Sequence, residues 1–298
     1  MPQALGQALE LIRESRPESL DRALGLLQNT VYSFSMKVCG HPQDAEDTMQ
    51  EVLLKSIPHL SKFESPQALA VWLYKVARNR CISNRRGDKN SKAKNISLDQ
   101  LMPDGRELAE LLSKTPGPEA AALGRESAER IKQAVLAVPP AYRMVLVLHD
   151  MEELSTAEVA QITGLREGTV RVRLHRARLL VRRYLAGLAK GVAPGAIELH
   201  AAATEKRPRR CRKLFAALSD YLDGVVDDAV CEKMDRHIHD CEPCQAFLDS
   251  MKQAIARCRS YAPQSDSRHA EELRKELLFK YQQAVAGLEK ARSQALLD

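Results

Sequence analysis

The chain has 298 residues, 44% of them hydrophobic and 28% charged, with aromatic residues at 4% and a formal net charge of +6. This length suits two or three small domains, and the scarcity of aromatic residues and of strand-like alternation predicts an all-α fold. Because no apolar run approaches the roughly 18 residues that span a bilayer, and the N-terminus lacks the pattern of a signal peptide, we expect a cytoplasmic protein with no membrane partner.

The first 85 residues are predicted to be helical. Apolar residues return at helical spacing from Gln43 to Ile57, and Pro58 ends this amphipathic helix. Its other face is acidic and carries Asp44, Glu46, Asp47 and Glu51. A second amphipathic helix is predicted from about Pro66 to Ser83, in a stretch that mixes aromatic and basic residues as single-stranded DNA requires. The alternatives are a solvated acidic face and, for Trp72, a place in the core.

The composition changes along the chain and predicts an order of domains. Residues 87–125 are rich in Gly and Pro and poor in large apolar residues, so we expect an extended or partly disordered linker. The complete predicted order is a helical domain over 20–86, this linker, a helical domain over 126–188, a second linker over 189–210, a cysteine-rich helical domain over 211–260, and a C-terminal amphipathic helix within 261–298.

Residues 154–185, LSTAEVAQITGLREGTVRVRLHRARLLVRRYL, have the pattern of a helix-turn-helix. Ser155 and Glu158 form a capping box that begins the first helix, and Gly164 permits the sharp turn. The second helix turns Val170, Leu174, Ala177 and either Leu180 or Val181 inward and distributes six arginines over its other faces. Such a helix suits the major groove of DNA, because arginine contacts both guanine edges and phosphates. The alternative is a solvated arginine-rich helix in a bundle.

The cysteines are unevenly spread, with five of the seven between residues 211 and 258. In a reducing compartment we expect metal ligands, sensors or core residues rather than structural disulfides. His237-x3-Cys241-x2-Cys244 has the spacing of a zinc site, and Cys211 is the best candidate for a fourth ligand. His239 and Cys231 compete with His237 and Cys211, and unligated buried cysteines are the alternative. Cys258 lies on an apolar stripe and is predicted to be core.

The helix-turn-helix segment resembles the second DNA-binding domain of extracytoplasmic-function sigma factors, a group of bacterial RNA polymerase subunits in the sigma-70 family. HPQDAEDTMQEVLLKSIPHLSKF and the following AVWLYKVARNRCISNRR resemble the first conserved domain of the same family. The resemblance implies two partners, core RNA polymerase and promoter DNA. It implies polymerase contacts by Asp47, Gln50 and Glu51, minus-10 DNA contacts by Arg78, Asn79, Arg85 and Arg86, and minus-35 contacts by Thr169, Arg171, Arg173 and Arg176. Arg166 departs from the family pattern, which often has a helix-capping residue there.

The pattern Cys…LSDYLDG…HIHDCEPC resembles the zinc-binding anti-sigma domain. This resemblance implies one zinc ion held by Cys211, His237, Cys241 and Cys244, and an intramolecular contact through which the fused domain inhibits or activates the sigma domains. Four protein ligands leave no open position on the metal, and no catalytic motif is present, so we do not expect an enzyme. The alternative function is a helix-turn-helix transcriptional regulator with a metal or redox sensor domain.

Overall fold

The computed structural model describes residues 2–14, 16–85, 96–103, 105–113, 125–197, 208–263 and 271–283. In these ranges the regular structure is helical, without strands, which confirms the all-α prediction. The helices are α1 (Pro2–Arg13), α2 (Pro17–Cys39), α3 (Pro42–Ser56), α4 (Pro66–Arg85), α5 (Gly105–Ser113), α6 (Arg125–Ala137), α7 (Pro140–Leu146), α8 (Thr156–Thr163), α9 (Glu167–Leu188), α10 (Arg209–Leu222), α11 (Asp228–Asp240), α12 (Glu242–Ser260) and α13 (271–283). None of the described helices is long and apolar enough to cross a membrane.

The chain divides into two compact units. The first contains Met1–Lys89, Gln161–Gly164 and Ala262–Asp298, and the second contains Asn90–Ala160 and Leu165–Tyr261. The unit boundaries therefore do not follow the order of the predicted domains, because the C-terminal part of the chain contributes to both units.

The core of the first unit is formed by α1 to α4. The predicted apolar face of α3 is confirmed, since Ala45, Met49, Val52 and Leu53 are fully buried. α13 belongs to this unit, and its Leu273 and Leu277 are buried as the sequence pattern predicts. Tyr281, a further predicted member of that stripe, is half-buried, and the last two members, Val285 and Leu288, lie outside the described residues.

Cys39 and Cys81 contradict the expectation that no cysteine pair forms a disulfide. Cys39 ends α2 and Cys81 lies in α4, and the two are bonded with their Cα atoms 6.1 Å apart. They are separated by 42 residues in sequence. Their proximity arises only when α2 packs on α4, so local spacing could not reveal it.

The predicted linker over 87–125 contains a helix, α5, and this part of the prediction is wrong. Leu108 and Leu111 are spaced to share one face of α5, and this face is half-buried. α5 packs against α12 in the second unit, and Ile96 and Leu101 before it are also buried. Long-range packing thus orders a segment whose composition did not indicate regular structure.

Candidate nucleic-acid interface and metal centre

The helix-turn-helix forms as its local signals predict. The Ser155 backbone N–H donates to Glu158 Oε2 at 2.7 Å, and the Glu158 N–H donates to Ser155 Oγ at 3.3 Å, which is a reciprocal capping box. Gly164 has φ of 69°, a conformation that glycine adopts without strain. α9 begins after Arg166, whose side chain makes no capping hydrogen bond.

The arginines of α9 divide into two groups. The inward positions Val170, Leu174, Ala177, Leu180 and Val181 are buried as predicted. Thr169 and Arg171 are exposed and Arg173 and Arg176 are half-buried, so these four predicted DNA contacts lie at the surface of α9. Arg178 and Arg182 are only 1% and 3% exposed, which contradicts their predicted place on an outer face.

Arg178 is held between two carboxylates in the second unit. Its Nε and Nη2 donate to Asp150 at 2.8 and 2.6 Å, and its Nη1 and Nη2 donate to Asp223 of the LSDYLDG segment at 2.9 and 2.7 Å. Burial opposes the charge of each group, but the hydrogen bonds and opposite charges outweigh it. The pKa of Asp150 is therefore lowered to about 2, and the pKa of Arg178 is raised above its ordinary value.

Two further side chains of α9 contact the cysteine-rich segment. His175 Nδ1 lies 3.0 Å from Ser219 Oγ, and its ring meets Phe215 edge-on with centroids 5.8 Å apart. The guanidinium carbon of Arg182 lies 4.2 Å from the centroid of Phe247, a cation–π geometry. Burial and the nearby charge of Arg178 lower the pKa of His175 to about 4, so its ring is neutral near pH 7.

Four of the candidate metal ligands lie together. Their ligand atoms are all within 4.8 Å of one another, and the four residues are Cys211, His237, Cys241 and Cys244. Cys241 precedes α12 and Cys244 lies in its first turn, so the two thiols lie at the start of one helix. Cys231, the competing cysteine, instead lies with its thiol 3.7 Å from Asp235 Oδ2 and, like His239, is not part of this group.

The donor atoms of the group suit a bound cation. Burial and the neighbouring sulfurs raise the pKa of the Cys244 and Cys211 thiols, because clustered thiolates repel one another when no cation is present. Burial and Arg210 lower the pKa of His237, which keeps its imidazole neutral with a lone pair available. Three thiols and one imidazole are a donor set that zinc prefers, so the residues fit this metal. As predicted, Cys258 is fully buried in the core.

The acidic face of α3 is accessible. Asp47 is exposed, and Gln50 and Glu51 are half-buried. Glu51 pairs with Lys55 at 2.7 Å and with Arg80 of α4 at 2.8 Å. The hydrogen bond from Lys55 lowers the pKa of Glu51, which therefore stays ionised near neutral pH.

The predicted single-strand surface on α4 is only partly described. Arg78 is half-buried and donates to the exposed Asn79 at 3.1 Å, while the side chain of Arg85 and all of Arg86 lie outside the described residues. Trp72 is half-buried, with its ring centroid 5.8 Å from that of Phe63. Tyr74, another aromatic residue of the stretch predicted to suit single-stranded DNA, is 1% exposed and packs on Phe34, so it belongs to the core.

The comparisons with known families cover all three functional segments. Residues 25–91 match sigma-70 region 2, residues 128–181 match sigma-70 region 4, and residues 211–245 match a zinc-finger family. The chain therefore contains sigma-70 region 2 and region 4 domains, followed by a zinc-finger domain.

Similar curated proteins indicate which kind of sigma factor the chain resembles. The chain is 25% identical to the ECF RNA polymerase sigma factor SigW of Bacillus subtilis over 63% of this chain and all of SigW. It is 29% identical to the ECF RNA polymerase sigma factor SigE of Mycolicibacterium smegmatis over 52% of this chain and 57% of SigE. With the zinc-finger match, these findings confirm the resemblance to extracytoplasmic-function sigma factors and identify an anti-sigma-like domain behind the sigma regions.

Proposed function

We propose that this chain binds core RNA polymerase and directs it to promoters with separate minus-10 and minus-35 elements. The proposal assigns the polymerase contact to Asp47, Gln50 and Glu51, because the carboxylates of Asp47 and Glu51 suit a basic partner surface and Gln50 lies beside them. It assigns minus-10 contacts to Arg78, Asn79, Arg85 and Arg86, and minus-35 contacts to Thr169, Arg171, Arg173 and Arg176. The accessibility of the acidic face of α3 and of the first two turns of α9 supports these assignments.

We further propose that one zinc ion, held by Cys211, His237, Cys241 and Cys244, maintains the fold of a domain that regulates region 4 in cis. The main support is Arg178, which α9 contributes and which Asp150 and Asp223 hold from two sides. Asp223 lies just after α10, which also carries Cys211. The metal would fix the start of α10 and the start of α12, and so the spacing of Phe215 and Phe247 against α9. Loss of the metal would loosen both contacts.

The contact is intramolecular, so its strength depends on tethering as well as on its residues. A linker of about twenty residues gives a local concentration on the order of millimolar. Even a modest intrinsic affinity is then sufficient to keep the zinc domain on α9 most of the time. The regulated step would therefore be release of a domain that is docked by default.

Runoff transcription with purified core polymerase tests the proposal. Full-length protein, residues 1–190 and the Cys244→Ser variant are compared on a promoter selected by the holoenzyme. Transcription that depends on the chain supports the sigma function. Increased output from both altered proteins indicates an inhibitory zinc domain, and lost output indicates an activating one. Tight promoter binding without any association with core polymerase would favour the alternative, a helix-turn-helix regulator with a metal or redox sensor domain.

A further inference from the structure

Val172 is an apolar residue in an unusual place on α9. It is 49% exposed although α10 and α12 pack on the same helix, so the zinc domain does not cover it. A β-branched apolar residue gains nothing from an exposed helical position, where polar residues or alanine are favoured. Single exposed valines are common on protein surfaces, so exposure alone assigns no role.

The neighbours of Val172 point to nucleic acid. On a helix, residues three and four positions away share a face, which places Thr169 and Arg176 beside Val172. Thr169 is exposed and Arg176 is half-buried, and Arg171 next to Val172 is also exposed. Val172 is thus an apolar side chain on a surface that otherwise carries arginines and a hydroxyl group. Such a surface suits a polyanion that presents one apolar group.

The backbone near Val172 is open to close approach. Gly168 lies one turn before Val172 on the same face, and a Cβ atom built there would have no neighbour within 4 Å. No side chain at position 168 therefore separates the first turn of α9 from a ligand. A helix that enters the major groove with its N-terminal residues requires this access.

We infer that Val172 is a specificity-determining residue that contacts the 5-methyl group of a thymine in the major groove. The thymine methyl is the apolar group that a base pair presents in that groove, and small apolar side chains recognise it. The inference rests on the proposed promoter recognition by α9. It predicts a thymine at one position of the minus-35 element and gives a physical reason for it.

The test uses the full-length chain assembled with core RNA polymerase. Duplexes are first selected from a randomised pool, and each thymine of the selected duplex is then replaced by deoxyuridine, which lacks only the methyl group. At one position the replacement should weaken binding by about fourfold, the value expected for one buried methyl contact. Val172→Ala should weaken binding to the thymine duplex by a similar factor and bind the deoxyuridine duplex no worse than the thymine duplex.

Val225→Ala is the matched control, because Val225 is 52% exposed and lies in the zinc domain, after α10. This variant should keep the full dependence on the thymine methyl. If Val172→Ala keeps that dependence too, or if no thymine methyl matters, Val172 does not read thymine although promoter recognition stands. If Val172→Ala instead impairs assembly with core polymerase without DNA, the residue belongs to a protein contact and the inference is overturned. Failure to select any duplex would overturn the proposed function itself and the inference with it.

Discussion

The contact between Asp223 and Arg178 gives a sharp test of docking in cis. Asp223→Asn removes one carboxylate from a guanidinium that is 1% exposed, while Asp150 keeps its own two hydrogen bonds to Arg178. A hydrogen bond to a charged group contributes about 1.5–3 kcal/mol, and leaving a buried charge wholly unpaired costs about 3–5 kcal/mol. Asparagine retains one acceptor and Asp150 still compensates the charge. We therefore expect Asp223→Asn to weaken docking of the zinc domain on α9 by about 2 kcal/mol, or about 30-fold in the docking equilibrium constant.

Hydrogen exchange of the full-length chain measures this loss directly. The amides of α10 should lose protection by about 30-fold in Asp223→Asn, because they exchange when the zinc domain opens from α9. Asp220→Asn removes the same charge about one helical turn earlier and provides the control, with protection expected within about twofold of wild type. If the two variants behave alike, the Asp223–Arg178 pair does not hold the domain and the reasoning fails.

Three further outcomes are expected. Elemental analysis should find about one zinc per chain, lost in Cys241→Ser and Cys244→Ser but kept in Cys231→Ser, whose thiol lies outside the cluster. Arg176→Ala should weaken binding of the holoenzyme to its selected duplex by about 1–3 kcal/mol and relax sequence preference, whereas equal weakening on all duplexes would indicate a phosphate contact. The folded pKa of His175, about 4, lies below the ordinary 6.5, so its contribution to stability is complete above pH 6.5 and is lost as pH falls towards 4. When the free energy of unfolding is measured with urea, it should fall by about 2 kcal/mol more in wild type than in His175→Gln between pH 7.5 and pH 5. Equal decreases in the two proteins would contradict this cause.

Features with a local cause were predictable from the sequence. The capping box of Ser155 and Glu158 and the turn at Gly164 depend on residues a few positions apart, so their pattern specifies their geometry. His237, Cys241 and Cys244 are also close in sequence, at the junction of α11 and α12, so their short spacing indicated that they group. Cys211 was less certain, because a ligand contributed by a separate helix depends on how α10 packs.

The features that could not be predicted all depend on long-range packing. Asp150 and Asp223 are ordinary acidic residues in the sequence, and only the fold places both on Arg178. The repeated arginines of α9 indicated nucleic acid binding for all six, although positions 178 and 182 share a stripe that faces α10 and α12. The spacing of three and seven residues from His175 to Arg178 and Arg182 could have shown this stripe, but no local signal shows what covers it.

The C-terminal segment is held in two places by different forces. In the second unit, α10 and α12 contact α9 through charged and aromatic groups, and the four candidate metal ligands lie at the start of these two helices and at the end of α11. In the first unit, α13 carries none of the four ligands; it buries Leu273 and Leu277, and Arg274 lies 2.9 Å from Asp21. That ion pair is about one-third exposed on each side and contributes at most about 1 kcal/mol, so apolar burial holds α13. Under the proposed regulation, loss of zinc would loosen α10 and α12 but leave the contacts of α13 intact, and release of both sigma regions would require a second event that separates α13 from the first unit.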